Sequence, residues 1–361
     1  MISGRPAEWK STGTETVRGD NRDIVLTIAH ASIDDLEPDS SNTRLHHIRM
    51  SKYDGKEMTK EQCFEELWRL SSVKKLKEGI ELAGGLSEAL YVREDGTVME
   101  GNERLTALNR VKTDIQREGH YTDEKRVQLE ELIEDIPIKV LPSDITRKEL
   151  MMMMADWHLN SKDPWPAVNQ AKHVHDMWDE NGLDISDISY RLRKSRAWVH
   201  QKVYSYELAK NYFDSEDKWD SPQDFSYFEE AWKKKKALKE TGLDIEHPDG
   251  QKTFMEWVSQ KQIPRALDVR KLDKVLRYEE TRELLYAGQG REAFKQLKHY
   301  DASETSPRFA SIVRMKSQLG KITYSELKMI AEEPHLRQLV EDSIKALTEA
   351  LEDASSLGGE E

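Results

Sequence analysis

A chain of 361 residues exceeds one ordinary domain, so two or three are expected. With 37% hydrophobic and 34% charged residues it has enough apolar material for real cores and a very polar remainder, the mix of a mostly helical soluble protein. A net charge of −13 excludes a wholly basic surface, and the single cysteine, Cys63, excludes an internal disulfide or a CxxC metal site.

No apolar run approaches the roughly 20 residues of a membrane helix, and the first residues lack the apolar stretch of a signal peptide, so the expectation is a cytoplasmic protein away from membranes. Residues 1–23 are polar and are expected to be disordered or loosely attached. Ile24 to Ile28 reads as a strand, and Glu37-Pro38-Asp39-Ser40-Ser41 as a turn. Phe64, Leu67, Leu70, Val73, Leu76 and Ile80 recur at helical spacing and predict one helix over 60–83, stopped by Gly84-Gly85. Residues 86–95 read as a strand, Asp95-Gly96 as a hairpin turn, and 97–100 as the partner strand. A helix follows from Gly101, then a charged segment over 113–134, then a strand ended by Pro142.

From Thr146 onward the pattern is helical. The Met151–Met154 run reads as adaptable core, and Gly182 closes the second helix of this block. His173 and His175 stand two apart, which is no metal-ligand spacing on a helix. Beyond 214, Phe225, Phe228, Trp232, Phe254 and Trp257 recur at helical spacing and read as core. Leu336, Val340, Ile344, Leu347, Leu351 and Ala354 follow the three- and four-residue steps of an amphipathic, coiled-coil-like helix, with a disordered tail after it.

The junction Glu100-Gly101-Asn102-Glu103-Arg104 carries more charge than a linker needs. A helix N-terminus offers free N–H groups and the positive end of its dipole, glycine admits a phosphate close to the backbone, and Arg104 adds a forked donor. Strand, glycine, polar pair, arginine and helix therefore make a phosphate cradle. Glu100 and Glu103 would hold Mg²⁺ beside it, with Glu103 the chosen metal ligand. The same residues also make an ordinary helix start, with Asn102 as the cap and Glu103 favouring the dipole.

The order of "IDDLEPDSSNTRL", "LKEGIELAGGLSEALYVREDGTVMEGNERLTALNRV", "IPIKVLPSD" and a helical block with a helix-turn-helix resembles the ParB family over roughly residues 24–212. The resemblance implies an α+β protein: a small mixed-sheet ParB/sulfiredoxin-like nucleotide domain over 24–145, followed by all-helical domains. These would be a helix-turn-helix domain over 146–213, a helical module over 214–335, and a C-terminal helix and tail over 336–361. It implies a nucleoside triphosphate, CTP first and ATP second, with Gly84, Gly85 and Leu86 where the family cups its base. Gly101-Asn102-Glu103-Arg104-Leu105-Thr106-Ala107 stands where the family has Gly-Glu-Arg-Arg-x-Arg-Ala, so Gly101, Asn102, Arg104 and Thr106 are candidate nucleotide residues. Asn160 lies in a later family motif that this chain does not keep. Asn102 replaces a glutamate associated with hydrolysis.

Residues 185–203 have the rhythm of a helix-turn-helix, with Ile185, Ile188 and Leu192 inward, Arg193-Lys194-Ser195 at the turn, and Trp198, Val199 and Val203 inward again. Arg196, His200, Gln201 and Lys202 then form the exposed side. With Arg193, Lys194 and Ser195 they are the candidate contacts to double-stranded DNA, whose phosphates dominate affinity. A structural hairpin with a solvated basic face is the alternative. Arg193 stands where family members often have glycine. Lys233–Lys236 reads as a solvated helix face.

Three functions fit. One is a nucleotide-dependent DNA switch or clamp, a homodimer with a protein partner through 214–361, serving partition, regulation or defence. Another is an NTP-dependent nuclease or kinase with Glu100, Glu103 and His158 as working groups. The third is a simple helix-turn-helix regulator.

Overall fold

β2 (Asp23–Ala31), the strand after the edge strand β1 (Gly13–Arg18), changes phase along its length. Ile24 and Leu26 are buried on one face, Ala29 and Ala31 on the other. Strand side chains alternate, so this odd–even switch gives the sheet two buried faces. The structure is a computed structural model that describes residues 9–19, 22–159 and 165–357.

The remaining strands are β3 (Glu37–Pro38), β4 (Leu90–Val92), β5 (Thr97–Glu100) and β6 (Ile136–Val140). The sheet order is β1-β2-β6-β4-β5-β3, with β6–β4 and β5–β3 parallel and the other pairs antiparallel. The α+β class expected from the sequence is what the chain adopts. Residues 13–18 were expected to be loosely attached; instead they pair with β2 from Gly13↔Ile28 to Arg18↔Asp23. They cover an edge that would otherwise expose unpaired backbone groups, and Val17 packs beneath.

The helices of this region are α1 (His46–Tyr53), α2 (Lys60–Trp68), α3 (Ser71–Ala83), α4 (Asn102–Ile115) and α5 (Asp123–Glu134). The single helix expected over 60–83 is two. Leu70 is extended (φ −71°, ψ 132°) and packs into two cores, so α2 serves the small core of Leu45, Met58, Cys63 and Leu67 while α3 serves the main one. α3, α4 and α5 cover the face holding Ala29, Val92, Val98 and Ile138. The charged segment contains α5, capped by Thr122, with Leu129 and Ile133 buried four apart.

The opposite face, with Ile24, Leu26 and Met99, is covered by α6 (Arg147–Leu159) and Trp165. Met151, Met153 and Met154 are buried, so the methionine run is core. α7 (Ala167–Asp179), α8 (Ile185–Leu192) and α9 (Arg196–Ser215) share a core of Val174, Met177, Ile188, Leu192, Val199 and Val203. α9 continues into an aromatic core with α10 (Phe225–Glu240) and α11 (Pro248–Ser259), where Phe228 meets Tyr212 at 5.1 Å and Phe254 at 5.6 Å. Phe225, Phe254 and Trp257 are buried there; Trp232 is only half-buried.

The chain divides into two compact units that meet at Asp273/Lys274, so the boundaries expected at 145/146 and 213/214 lie inside the first. α12 (Leu272–Arg277) spans the division. The second unit holds α13 (Glu279–Tyr286), α14 (Gly290–Tyr300), α15 (Pro307–Leu319), α16 (Tyr324–Glu332) and α17 (Pro334–Leu357). Among the described residues no helix is long and apolar enough to cross a membrane.

One strap ties the sheet region to α9. Asn42 caps the short turn Thr43–Leu45, and α1 begins directly after it. His46 then meets the Tyr206 hydroxyl at 3.1 Å and the Trp219 ring edge-on at 5.1 Å. Burial, with the charges of Lys172 and Arg49, pushes the His46 imidazole down to about 3 from 6.5. The unfolded chain therefore takes up a proton that the folded chain refuses. This stability is fully present above pH 6.5 and is lost as pH falls toward 3. Urea unfolding at pH 7 and pH 5 is expected to show wild type losing about 1–2 kcal/mol more than His46→Gln over that interval.

Candidate functional site

Gly101 sits at φ 100° between β5 and α4, a conformation that L side chains rarely adopt. A Cβ there would lie 2.5 Å from Leu90 Cδ2, so a larger residue would also have to displace that methyl group. Gly101, not Asn102, occupies the cap position of α4. Asn102 is buried, accepts from the Asp39 N–H (2.9 Å) and donates to the Val98 carbonyl (2.8 Å). The sequence made it a cap or a nucleotide residue; the structure makes it a bracket between the strap and β5. Thr106, also expected at the nucleotide, is buried and donates to the Asn102 carbonyl at 2.8 Å.

The first turn of α4 lines a cleft of about 950 Å³. Its walls bring together Glu100 to Arg104, Arg44 of the strap, Ser87 to Ala89 before β4, Tyr91, Lys139 and, from α6, Asp156, Trp157 and His158. Gly84, Gly85 and Leu86 are not among them. Gly84 ends α3 at φ 68°, Gly85 faces open space, and Leu86 packs on the main core. Asn160 lies outside the described residues.

The cleft's cations already have partners. Arg104 Nη1 donates to the carbonyls of Glu88 (2.9 Å) and Ala89 (3.2 Å) and pairs with the Glu88 carboxylate (3.2 Å), while Nη2 reaches Glu100 at 3.3 Å. Arg44 pairs with Glu103 at 2.5 Å, and Lys139 with Glu15 at 2.7 Å. His158 Nε2 meets Glu100 Oε2 at 2.7 Å, and its ring stacks on Trp165 at 4.0 Å. Burial pushes the Glu100 carboxyl up, but the His158 hydrogen bond and charge, with Arg104 and the Gly101 N–H, outweigh it and hold it below its ordinary value. Of the three candidate catalytic groups, Glu100 and His158 thus touch, 58 residues apart in sequence, while Glu103 faces Arg44.

Mg²⁺ finds no ready cage here. Glu100 and Glu103 are each held by cations, and neither belongs to a converging group of three metal-ligating side chains among the described residues. One such group, Glu81, Asp114 and His120, lies elsewhere, and Lys77 pairs with both of its carboxylates at 2.5 and 3.0 Å.

Sequence reasoning assigned no role to Arg44, Lys139, Tyr91, Trp157 or Trp165. Tyr91 and Trp157 pack at 4.2 Å and form an aromatic wall, and Lys139 lies 5.2 Å from the Tyr91 ring centre. Tyr91 alternates with buried Leu90 and Val92, so period-two reading alone aims it away from the main core.

In the helix-turn-helix, Arg193 ends α8 at φ 52°, and Ser195 caps α9 through the Trp198 N–H at 3.2 Å. Arg193, Ser195, Arg196 and His200 are exposed; Lys194 and Gln201 are half-buried. Lys202 is not a surface group: it is buried and pairs with Glu229 of α10 at 2.7 Å. α10 packs along that side of α9, and Trp232 stacks on Tyr204 at 4.9 Å. The open stretch is therefore the start of α9, joined by Tyr190 of α8, which is 87% exposed. Lys233, Lys234 and Lys235 are each paired with acids, leaving Lys236 exposed in that run.

No family model and no curated protein matches the chain. It is similar to two solved structures of the C-terminally truncated chromosome-partitioning protein ParB from Caulobacter crescentus. The first, complexed to the centromeric parS site, is 10% identical with a TM-score of 0.35, over 68% of this chain and 98% of that one. The second, complexed with CTP-γ-S, is 10% identical with a TM-score of 0.22, over 64% and 97%. At these values the site is read from its own residues.

An arginine at φ 52° is strained where glycine is not. Arg193→Gly is expected to raise unfolding free energy by about 0.5–1 kcal/mol in urea, after the entropy glycine costs the unfolded state. A loss of stability would show that the Arg193 side chain holds the turn.

Proposed function

We propose that this chain is a ParB-like, nucleotide-responsive protein that binds double-stranded DNA and acts as a switch. One observation carries the reading: the first turn of α4, two arginines, a lysine and an aromatic wall converge on one cleft. The cleft is large enough for a nucleotide. The strap that lines it continues to α9 through His46 and Tyr206.

The chemistry would be an exchange of partners. A phosphate chain entering beside Gly101 takes Arg44 from Glu103 and Arg104 from the exposed Glu88 carboxylate. The base lies against Tyr91 and Trp157. Releasing Arg44 loosens the strap at its cleft end and so alters how α9 is held. CTP is the base that the sequence resemblance favours, with ATP second. DNA would be met by Arg193, Lys194, Arg196, His200 and Gln201, since the first residues of a recognition helix reach base edges.

The Glu100–His158 contact favours a second reading, in which the cleft also hydrolyses or transfers a phosphoryl group. A carboxylate that orients an imidazole is the usual support of a general base.

Isothermal titration of CTP, ATP, GTP and UTP, with and without Mg²⁺, tests the cleft. At least one is expected to bind wild type, and Arg44→Gln to weaken it tenfold or more while the fold, checked by circular dichroism, persists. No binding by folded protein, or binding indifferent to Arg44, contradicts the reading. For hydrolysis, His158→Gln is expected to abolish turnover and keep nucleotide binding.

DNA titrations at several salt concentrations test the other end. Arg196→Ala is expected to weaken binding and lower the salt slope by about one. Lys202→Met is expected to leave the slope unchanged, because Lys202 faces Glu229 rather than solvent.

A further inference from the structure

A second cleft, of about 580 Å³, opens among α7, α9, α10 and the start of α11, and it shares no lining residue with the cleft at α4. Its volume suits a small molecule. Three aromatic rings line it. Trp178 of α7 lies 6.0 Å from Tyr204 of α9, and Trp232 of α10 stacks on Tyr204 at 4.9 Å. All three are half-buried, so each keeps ring surface toward solvent.

Three carboxylates, Asp179, Glu207 and Glu246, stand on the same walls, against two bases, His175 and Lys210. Asp179 has no ion-pair partner among the described residues, nor has the exposed Lys210. Glu207 has only His175, at 3.9 Å.

The rim already holds one cation. The Lys235 ammonium lies 4.0 Å from the Trp232 ring centre and 2.7 Å from Glu246. An ammonium is drawn to a ring face by the ring's quadrupole and donates to a carboxylate at the same time. The Lys235 and Glu246 side chains are 36% and 45% exposed, so water screens their pair and a cation from solvent can exchange into it.

We propose that this cleft binds a small aliphatic diamine. One ammonium replaces Lys235 over Trp232 and on Glu246, the chain lies against the rings, and the second ammonium meets Asp179. An anion would face three carboxylates, and a neutral ligand would cover acids without pairing them. The site needs neither the nucleotide nor the DNA reading.

Nuclear magnetic resonance of the full chain tests this, following the indole N–H signals of Trp178 and Trp232, each assigned with its Trp→Phe variant. The probes are putrescine, cadaverine, n-butylammonium and neutral n-pentanol, at matched ionic strength. In wild type at least one diamine is expected to shift the Trp232 signal saturably and to bind about threefold or more tighter than n-butylammonium, with n-pentanol inert. Lys235→Ala is expected to tighten diamine binding about fivefold, because a tethered lysine competes at high effective concentration. Adding Glu246→Gln to Lys235→Ala is expected to reverse that gain, and Asp179→Asn to remove the diamine's advantage over n-butylammonium. Circular dichroism checks that these surface variants stay folded. No saturable shift in wild type, an equal response to n-pentanol, or a diamine no tighter than n-butylammonium would overturn the proposal. Binding that appears only once Lys235 is removed would also overturn it, since Lys235 would then be a fixed part of the wall.

Discussion

The turn at Gly101 is the constraint on which the cleft depends. With φ at 100° and Leu90 filling the space where a Cβ would sit, the chain passes from β5 into α4 within one residue. That abruptness lets Glu100, the last residue of β5, face His158 while Glu103, one turn on, faces Arg44. It also sets Arg104 against the carbonyls that precede β4. A looser junction would spread these groups over several residues and leave no shared wall.

The cations of the cleft are matched in place. Arg44, Arg104 and Lys139 answer to Glu103, Glu88, Glu100 and Glu15, and His158 meets Glu100. Such a site does not hold an anion by surplus charge; a ligand must exchange for a carboxylate. The best placed to yield is Glu88, whose side chain is 78% exposed. The opposite holds at Lys202 and Glu229, both largely removed from solvent, where losing either partner leaves a buried charge. One kind of pair is suited to exchange and the other to holding α9 against α10.

Much of the fold was legible because its signals are local. An apolar run marked the strand at Ile24, Asp95-Gly96 marked the β4–β5 hairpin, and Ser195 marked the start of α9. The failures needed information from distant parts of the chain. β1 is a strand because β2 has an open edge, which no property of residues 13–18 reveals. Helical spacing runs straight through Leu70, yet two separate cores pull the chain apart there. In the site, the turn at Gly101 and the helix start that carries Arg104 were readable from type and spacing. The side chains of Asn102 and Thr106 bond to backbone groups, which residue type and spacing beside a ligand motif do not reveal. Lys202 looked exposed on a lone helix wheel, and only α10 covers it.

The proposed switch needs the cleft and the start of α9 to report to each other through the strap from Asn42 to His46. The most direct measurement is the coupling itself: DNA affinity with and without saturating nucleotide, in wild type and in Tyr206→Phe, which removes the hydroxyl that His46 meets. Nucleotide is expected to change wild-type DNA affinity about fivefold or more, a coupling of roughly 1 kcal/mol, and Tyr206→Phe to reduce that change while both separate affinities hold. DNA affinity that ignores bound nucleotide, or coupling untouched in Tyr206→Phe, would contradict it.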